Sequence, residues 1–282
     1  MKKIQWLVLF TVFLIILGGC GQASTSSSKS EKEEQVSGEP KNITLKIGAS
    51  STPHAEILEF IKPTLEKQGV NLDIQVINDG IQTNEQTANK ELDANYFQHT
   101  PFLDQTNKDG DLNLVKVAGV HIEPFGVYSK KIKSIDELSD GAKIAIPNDP
   151  VNFSRALELF AANGILELDK EKSADNNYTI QDISKNNKKL EFIPVDGPLL
   201  ARALDDVEAS AINTNYALEV GLNPKEDALI IEGDKSPYVN ILVARPDNKD
   251  SEPIQKLAKA LTTEEVRRFI ENQYKGAVVP AF

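Results

Sequence analysis

From residue 43 onward, short apolar runs alternate with longer stretches in which apolar residues recur every three or four positions. Residues 43–47 predict a strand, followed by the turn-rich Gly48-Ala49-Ser50-Ser51-Thr52-Pro53. A helical pattern begins near His54, with Ile57, Leu58, Ile61 and Leu65 on one face. Pro63 falls inside that pattern and is expected to bend or divide it. Residues 72–77 predict the next strand, and 84–92 a polar helix. Further strands are expected at 112–117, 143–146, 190–195 and 209–212, with helices between them at 152–162 and 198–205. The C-terminal part predicts two more helices, at 252–261 and 263–274. Such alternation favours α/β layers with largely parallel strands. No internal repeat is visible.

Two stretches break the pattern. Residues 117–122 with 125–128, and residues 238–245, are apolar and strand-like, and they bracket a central block from 129 to 237. A chain that leaves one lobe on the first stretch and returns on the second makes that block an inserted lobe. The predicted division is 42–122 plus 240–282 for one lobe and 123–239 for the other. Two lobes joined by two extended crossings can close around a small molecule by hinge bending. The alternative is two unrelated domains in series. It fits less well, because the segment after Arg245 is too short to fold alone.

The N-terminal end carries a different signal. Met1-Lys2-Lys3 is positive, residues 7–17 are apolar, and Leu17-Gly18-Gly19 places small residues directly before Cys20, the only cysteine. That order reads as a secretory signal peptide, 1–19, whose cleavage site is also a lipidation site. The Cys20 sulfur would become a diacylglyceryl thioether. A lone thiol is often a buried structural cysteine, but Cys20 is followed by Gly21 and a polar, serine-rich run. The apolar run is also short for a permanent membrane span. Residues 20–41 are mostly Ser, Lys, Glu and Gln, a composition suited to a disordered tether. The expected location is the extracytoplasmic face of the cell membrane, held there by lipid.

Charge and composition narrow the class. With 31 basic and 42 acidic residues the net charge is −11, which argues against nucleic acid as a partner. A single cysteine permits no internal disulfide, so packed cores must hold the fold. The only Trp and the only Met, Trp6 and Met1, both lie in the leader.

Two segments carry candidate chemistry. In 146–155 a strand runs out at Pro147, Asn152 is a suitable helix N-cap, and Arg155 would occupy the first turn. Helical side chains lean towards the N-terminus, so its guanidinium could reach the helix mouth and join the unpaired backbone N–H groups there. A planar fork at that point suits a carboxylate. The alternative is a solvated helix face with Arg155 paired to Glu158. In 91–103, Tyr96, Phe97, His99 and Phe102 crowd their rings into what reads as a loop after a polar helix. Such rings can wall an apolar pocket. Equally, they can be core residues of a short strand.

Other chemistries find little support. His54, His99 and His121 are widely spaced, with no histidine-rich loop, so no metal site is assigned, although folding could bring them together. There is no Gly-x-Ser-x-Gly elbow and no P-loop, so neither a hydrolase nor an ATPase is read, and no cofactor is called for.

Several segments together resemble the NlpA/MetQ family of methionine-binding lipoproteins. They are Pro53-His54-Ala55-Glu56-Ile57, residues 91–103, His121-Ile122-Glu123-Pro124, residues 146–157, Asn213-Thr214-Asn215-Tyr216-Ala217 and Tyr238-Val239-Asn240. The resemblance is collinear over the whole of the chain after the tether. Its most specific pieces are Asp93-Ala94-Asn95-Tyr96-Phe97-Gln98-His99 and Pro147-Asn148-Asp149-Pro150. It implies a two-lobed fold of the type II periplasmic-binding-protein class, with methionine, D-methionine or a methionine-containing dipeptide held in the cleft. It further implies partners: an ABC permease with a cytoplasmic ATPase, and the bilayer through Cys20. By the same resemblance Arg155 would hold the ligand α-carboxylate with Asn152 nearby. Asn213 and Asn240 would meet its α-amino and carboxylate groups. Phe97 and His99, with Tyr96, would line the side-chain pocket. Two departures stand out: Gly80 where many relatives have tyrosine, which would open one wall of that pocket, and Val151 where many have a hydroxyl residue. An adhesive or metal-binding surface lipoprotein is the reading from another class.

Overall fold

The protein is described as a computed structural model over residues 42–169, 171, 177–233 and 236–282. The leader, Cys20 and the tether lie outside the described residues. Strand β1 (Ile43–Ala49) pairs in parallel with β2 (Val70–Val76), and α1 (Glu56–Glu66) makes the crossover between them. Ile57, Leu58, Ile61 and Leu65 of α1 are buried against the sheet, as their spacing predicts. Pro63 sits inside α1 without dividing it. Both Pro63 and Glu59, whose carbonyl loses its helical partner there, lie on the exposed side, open to solvent.

The next helix, α2 (Gly80–Ala88), starts before the polar stretch that predicts it. The Asp79 carboxylate accepts from Gln82 N–H at 2.9 Å and caps the helix there. The aromatic run is not a loop. It is strand β3 (Ala94–His99) followed by α3 (Thr100–Gly110), with Pro101 in the first turn and His99 Nδ1 accepting from Phe102 N–H at 3.2 Å as the cap. Strand β4 (Val115–Ile122) then carries the chain out of this lobe.

The second lobe contains β5 (Gly126–Tyr128), β6 (Lys143–Pro147), α4 (Pro150–Ala162), β7 (Glu167–Leu168), β8 (Ile183–Lys185) and β9 (Glu191–Val195). It continues through α5 (Leu200–Ala203), β10 (Ala209–Ile212), α6 (Thr214–Glu219), α7 (Pro224–Asp227) and β11 (Ile230–Ile231). The chain returns on β12 (Val239–Ala244) and ends with α8 (Glu252–Leu261), α9 (Glu264–Tyr274) and β13 (Val279–Pro280).

Two sheets result. The first has the order β13-β4-β12-β3-β1-β2, and the second β11-β5-β10-β6-β9. Both are mixed, which corrects the expectation of largely parallel strands. β1 pairs in parallel with β2 and β3, and β6 with β9 and β10, whereas the contacts of β12, β13, β5 and β11 are antiparallel. The reason lies in the crossings. A chain that leaves on β4 and returns beside it on β12 must run the opposite way. Each sheet buries its own apolar core, one around Ile47, Ile57, Leu65 and Ile254, the other around Ile144, Leu157 and Phe160. The chain passes to the second lobe through residues 123–125 and is back in the first by β12.

Candidate functional site

A cleft of about 490 Å³ lies between the lobes. Phe97, His99 and Phe102 line it from the first lobe, and Asn152, Arg155 and Asn213 from the second, with Asn240 at the start of β12. These are six of the seven ligand residues that the resemblance implies, joined by Phe102. The seventh, Tyr96, is elsewhere. It is fully buried in the first lobe, with its hydroxyl 2.5 Å from His121 Nδ1.

Alternation along β3 explains why neighbours part company: successive side chains point to opposite faces, which puts Phe97 with His99 and turns Tyr96 the other way. In the β3–β12 pairing Gln98 lies opposite Ile241 and Tyr96 opposite Leu242, so Phe97 has no partner of its own. The bulge falls where β3 borders the cleft. Phe97 and His99 reach the cleft while Tyr96 keeps to the core. The Phe97 and Phe102 rings meet edge to face at 6.1 Å, and His99 meets Tyr238 at 5.0 Å. Gly80 is what lets this wall stand. A Cβ there would come within 2.8 Å of Phe97 and 3.2 Å of Phe102, so these two rings occupy the space that the missing side chain leaves. The wall is filled rather than opened.

On the opposite side, the start of α4 differs from the sequence expectation. Its cap is Asp149, not Asn152, because Pro150 is preset for the first helical position and has no N–H to lose. The Asp149 carboxylate accepts from Asn152 N–H at 2.9 Å and from the Asn152 amide at 3.0 and 3.1 Å. The helix mouth is therefore filled by the protein's own carboxylate, whose pKa burial pushes up against the pull of these bonds. Asn152 Oδ1 accepts from His99 Nε2 at 3.0 Å and from Asn213 Nδ2 at 3.1 Å, which ties the two walls together.

Arg155 sits a turn deeper in α4 than the sequence suggests, and it is buried. Its acidic partner is Glu232, 77 residues away, and not Glu158, which accepts from the Ser154 hydroxyl. Nε and Nη2 of Arg155 donate to the two Glu232 oxygens at 2.6 and 2.5 Å, a fork-to-fork pair, and Nη2 also donates to the Glu123 carbonyl at 2.9 Å. The guanidinium lies over the rings of Tyr238 (4.1 Å) and Phe125 (5.1 Å). Of its five N–H groups, only the Nη1 pair carries none of these bonds. Glu232 gives no signal in the sequence, because nothing local links it to Arg155.

Behind Asn240 lies a second polar cluster. Asn240 Oδ1 is 3.0 Å from His54 Nε2, and the Glu123 carboxylate is 2.7 Å from His121 Nε2 and 3.3 Å from His54 Nε2. Burial lowers His54 to about 4 and His121 to about 3, so both rings are neutral and their contacts are hydrogen bonds rather than ion pairs. Burial raises Glu123, opposed by His54, Arg155 and the Asn215 N–H, which donates to Oε2 at 3.0 Å. His99 is likewise lowered to about 3, first by burial and then by Arg155.

A sequence profile described as NlpA lipoprotein matches residues 45–282. The chain belongs to the NlpA lipoprotein family. The methionine-binding lipoprotein MetQ of Bacillus subtilis (strain 168) is 40% identical to it over 284 residues, 99% of each chain. The D-methionine-binding lipoprotein MetQ of Escherichia coli (strain K12) is 36% identical over 268 residues, 94% of this chain and 93% of its own. Among solved structures, a nutrient binding protein from Burkholderia cenocepacia bound to methionine superposes with a TM-score of 0.82 at 41% identity, covering 84% of this chain and 100% of that one. The two-lobed α/β architecture is thus that of substrate-binding members of this family, whose named relatives are binding proteins rather than enzymes.

Proposed function

We propose that this protein is a non-enzymatic, membrane-anchored binding lipoprotein that captures methionine in the interlobe cleft and delivers it to an ABC permease driven by a cytoplasmic ATPase. The observation that carries this reading is the division of labour across the cleft. One wall is aromatic, the other presents a guanidinium and two amides, and the Asn240 amide stands at the start of β12. A thioether is soft and polarisable and suits aromatic contacts. A zwitterion enclosed between lobes needs each of its charges paired. The Nη1 arm of Arg155 would take the α-carboxylate, with Asn152, Asn213 and Asn240 completing its contacts and those of the ammonium. Glu232 supports the assignment, since it holds the fork in one orientation and leaves that arm to the cleft. Closure would be a hinge motion of lobes 42–122 plus 240–282 and 123–239 about the two connections. Cys20 would carry the lipid that keeps the protein on the extracytoplasmic face of the membrane, without any nucleic-acid partner.

Relatives named for D-methionine keep that stereoisomer in view, and a methionyl dipeptide is the other candidate. Isothermal calorimetry with L-methionine, D-methionine and a methionyl dipeptide separates them. Mass spectrometry of small molecules released from the denatured, purified protein provides an independent check. Micromolar or tighter binding of one of the three supports the proposal, and binding of none of them removes it.

A further inference from the structure

The cluster behind the cleft does more than fill space. His54, His121 and Glu123 are far apart in sequence, are all buried, and bring one ligand-type atom each within 4.8 Å of one another. They are the one such group among the described residues. The two Nε2 atoms converge on the same carboxylate oxygen at 2.7 and 3.3 Å, and the Asn240 amide oxygen adds a fourth donor 3.0 Å from His54 Nε2. In a tetrahedral zinc site with bonds near 2.0–2.1 Å, neighbouring donors stand about 3.3–3.4 Å apart. The 3.3 Å separation already matches that spacing, and the 3.0 and 2.7 Å separations would widen by about 0.3 and 0.6 Å to reach it.

The surroundings point the same way. Each ring is oriented through its far nitrogen by a hydroxyl, His54 Nδ1 by Ser50 at 2.6 Å and His121 Nδ1 by Tyr96 at 2.5 Å. A hydroxyl can donate or accept, so both rings can carry their proton on Nδ1 and offer Nε2 to a cation without losing a hydrogen bond. The second Glu123 oxygen is held by Asn215 N–H. Glu123, Asn240 and Ser50 also line the cleft, which supplies a route of entry. The third buried histidine lines the cleft too but lacks these partners. His99 commits one nitrogen to Asn152 and the other to Phe102 N–H, and no carboxylate contacts it among its hydrogen bonds.

We propose that His54, His121 and Glu123, with the Asn240 amide oxygen as fourth donor, form a buried binding site for one divalent transition-metal ion of the zinc type. Imidazole nitrogen and carboxylate oxygen suit Zn²⁺ and Co²⁺, and the lack of any sulfur donor in the cluster disfavours copper(I). The site does not depend on which solute the cleft takes.

The test uses full-length protein prepared without a histidine tag, treated with a chelator and then titrated with Zn²⁺ or Co²⁺. Stoichiometric zinc by elemental analysis, with the visible bands of tetrahedral Co²⁺, is the expected result. His121→Gln and Glu123→Gln should abolish both. Ser50→Ala, which removes only an orienting hydroxyl, should weaken zinc about tenfold. Substoichiometric zinc, or uptake that the His121→Gln and Glu123→Gln variants retain, would overturn the proposal. Should those variants fail to fold, the Co²⁺ spectrum of the unmodified protein decides alone, and a weak octahedral spectrum or none counts against the site.

Discussion

Two buried polar clusters border the cleft, and they stabilise charge in different ways. Around Arg155, one charge is met by another: Glu232 takes two arms of the fork in a bidentate pair. Around Glu123, a single carboxylate is met by neutral donors, the His121 imidazole and a backbone N–H, with the neutral His54 ring 3.3 Å away. Glu123 belongs to both, since its carbonyl accepts from Arg155 while its carboxylate faces the histidines. The difference shows what each cluster is suited to. A compensated cation can keep one arm for a charged guest, whereas neutral rings around one acid hold the join between lobes without an exposed charge.

The largest expected effect comes from breaking the first cluster. Arg155→Ala should weaken methionine binding by about 2–5 kcal/mol, since it removes one partner of a buried charge pair and strands Glu232. Calorimetry measures this directly, and unchanged affinity would take Arg155 out of the site. A smaller effect sharpens the contrast from the other side. Tyr96→Phe deprives His121 Nδ1 of its partner and should lower the unfolding free energy in urea by about 1–3 kcal/mol. Methionine affinity should stay at the wild-type value. A loss of affinity with stability intact would return Tyr96 to the ligand wall.

The effect that is smallest at neutral pH concerns acid. His99 has a folded pKa of about 3 against an ordinary value of 6.5. As pH falls from about 6.5 towards 3, the unfolded chain therefore takes up a proton that the folded form refuses, and stability is lost across that window. The contribution is up to about 1.4 kcal/mol per pH unit. His99→Gln should flatten the acid limb of the stability profile by that amount. Parallel limbs for the two proteins would mean that His99 titrates normally.

Much of the scaffold could be read from residue order alone. The face of α1 and the spans of α8, β6 and β10 follow from local patterning, because burial imposes a period that a single chain displays. Boundaries failed where side chains intervene. Asp79 starts α2 early, and Asp149 with Pro150 starts α4 early. In the site, Phe97, His99, Asn152, Arg155, Asn213 and Asn240 came through resemblance, and the fold gathers all six. Two features were beyond reach. The bulge at Phe97 depends on the register with β12, and the Arg155–Glu232 pair depends on where a distant segment returns. Likewise, His54 and His121 look scattered on paper, and only the meeting of the turn before α1 with β4 and the start of β12 brings them to one carboxylate.

The amide oxygen of Asn152 has two lone pairs, and His99 and Asn213 already hold both. A guest that needs this acceptor must take the place of one of them. Occupancy would then be an exchange of partners rather than an addition, and whichever wall lets go first would register the arrival.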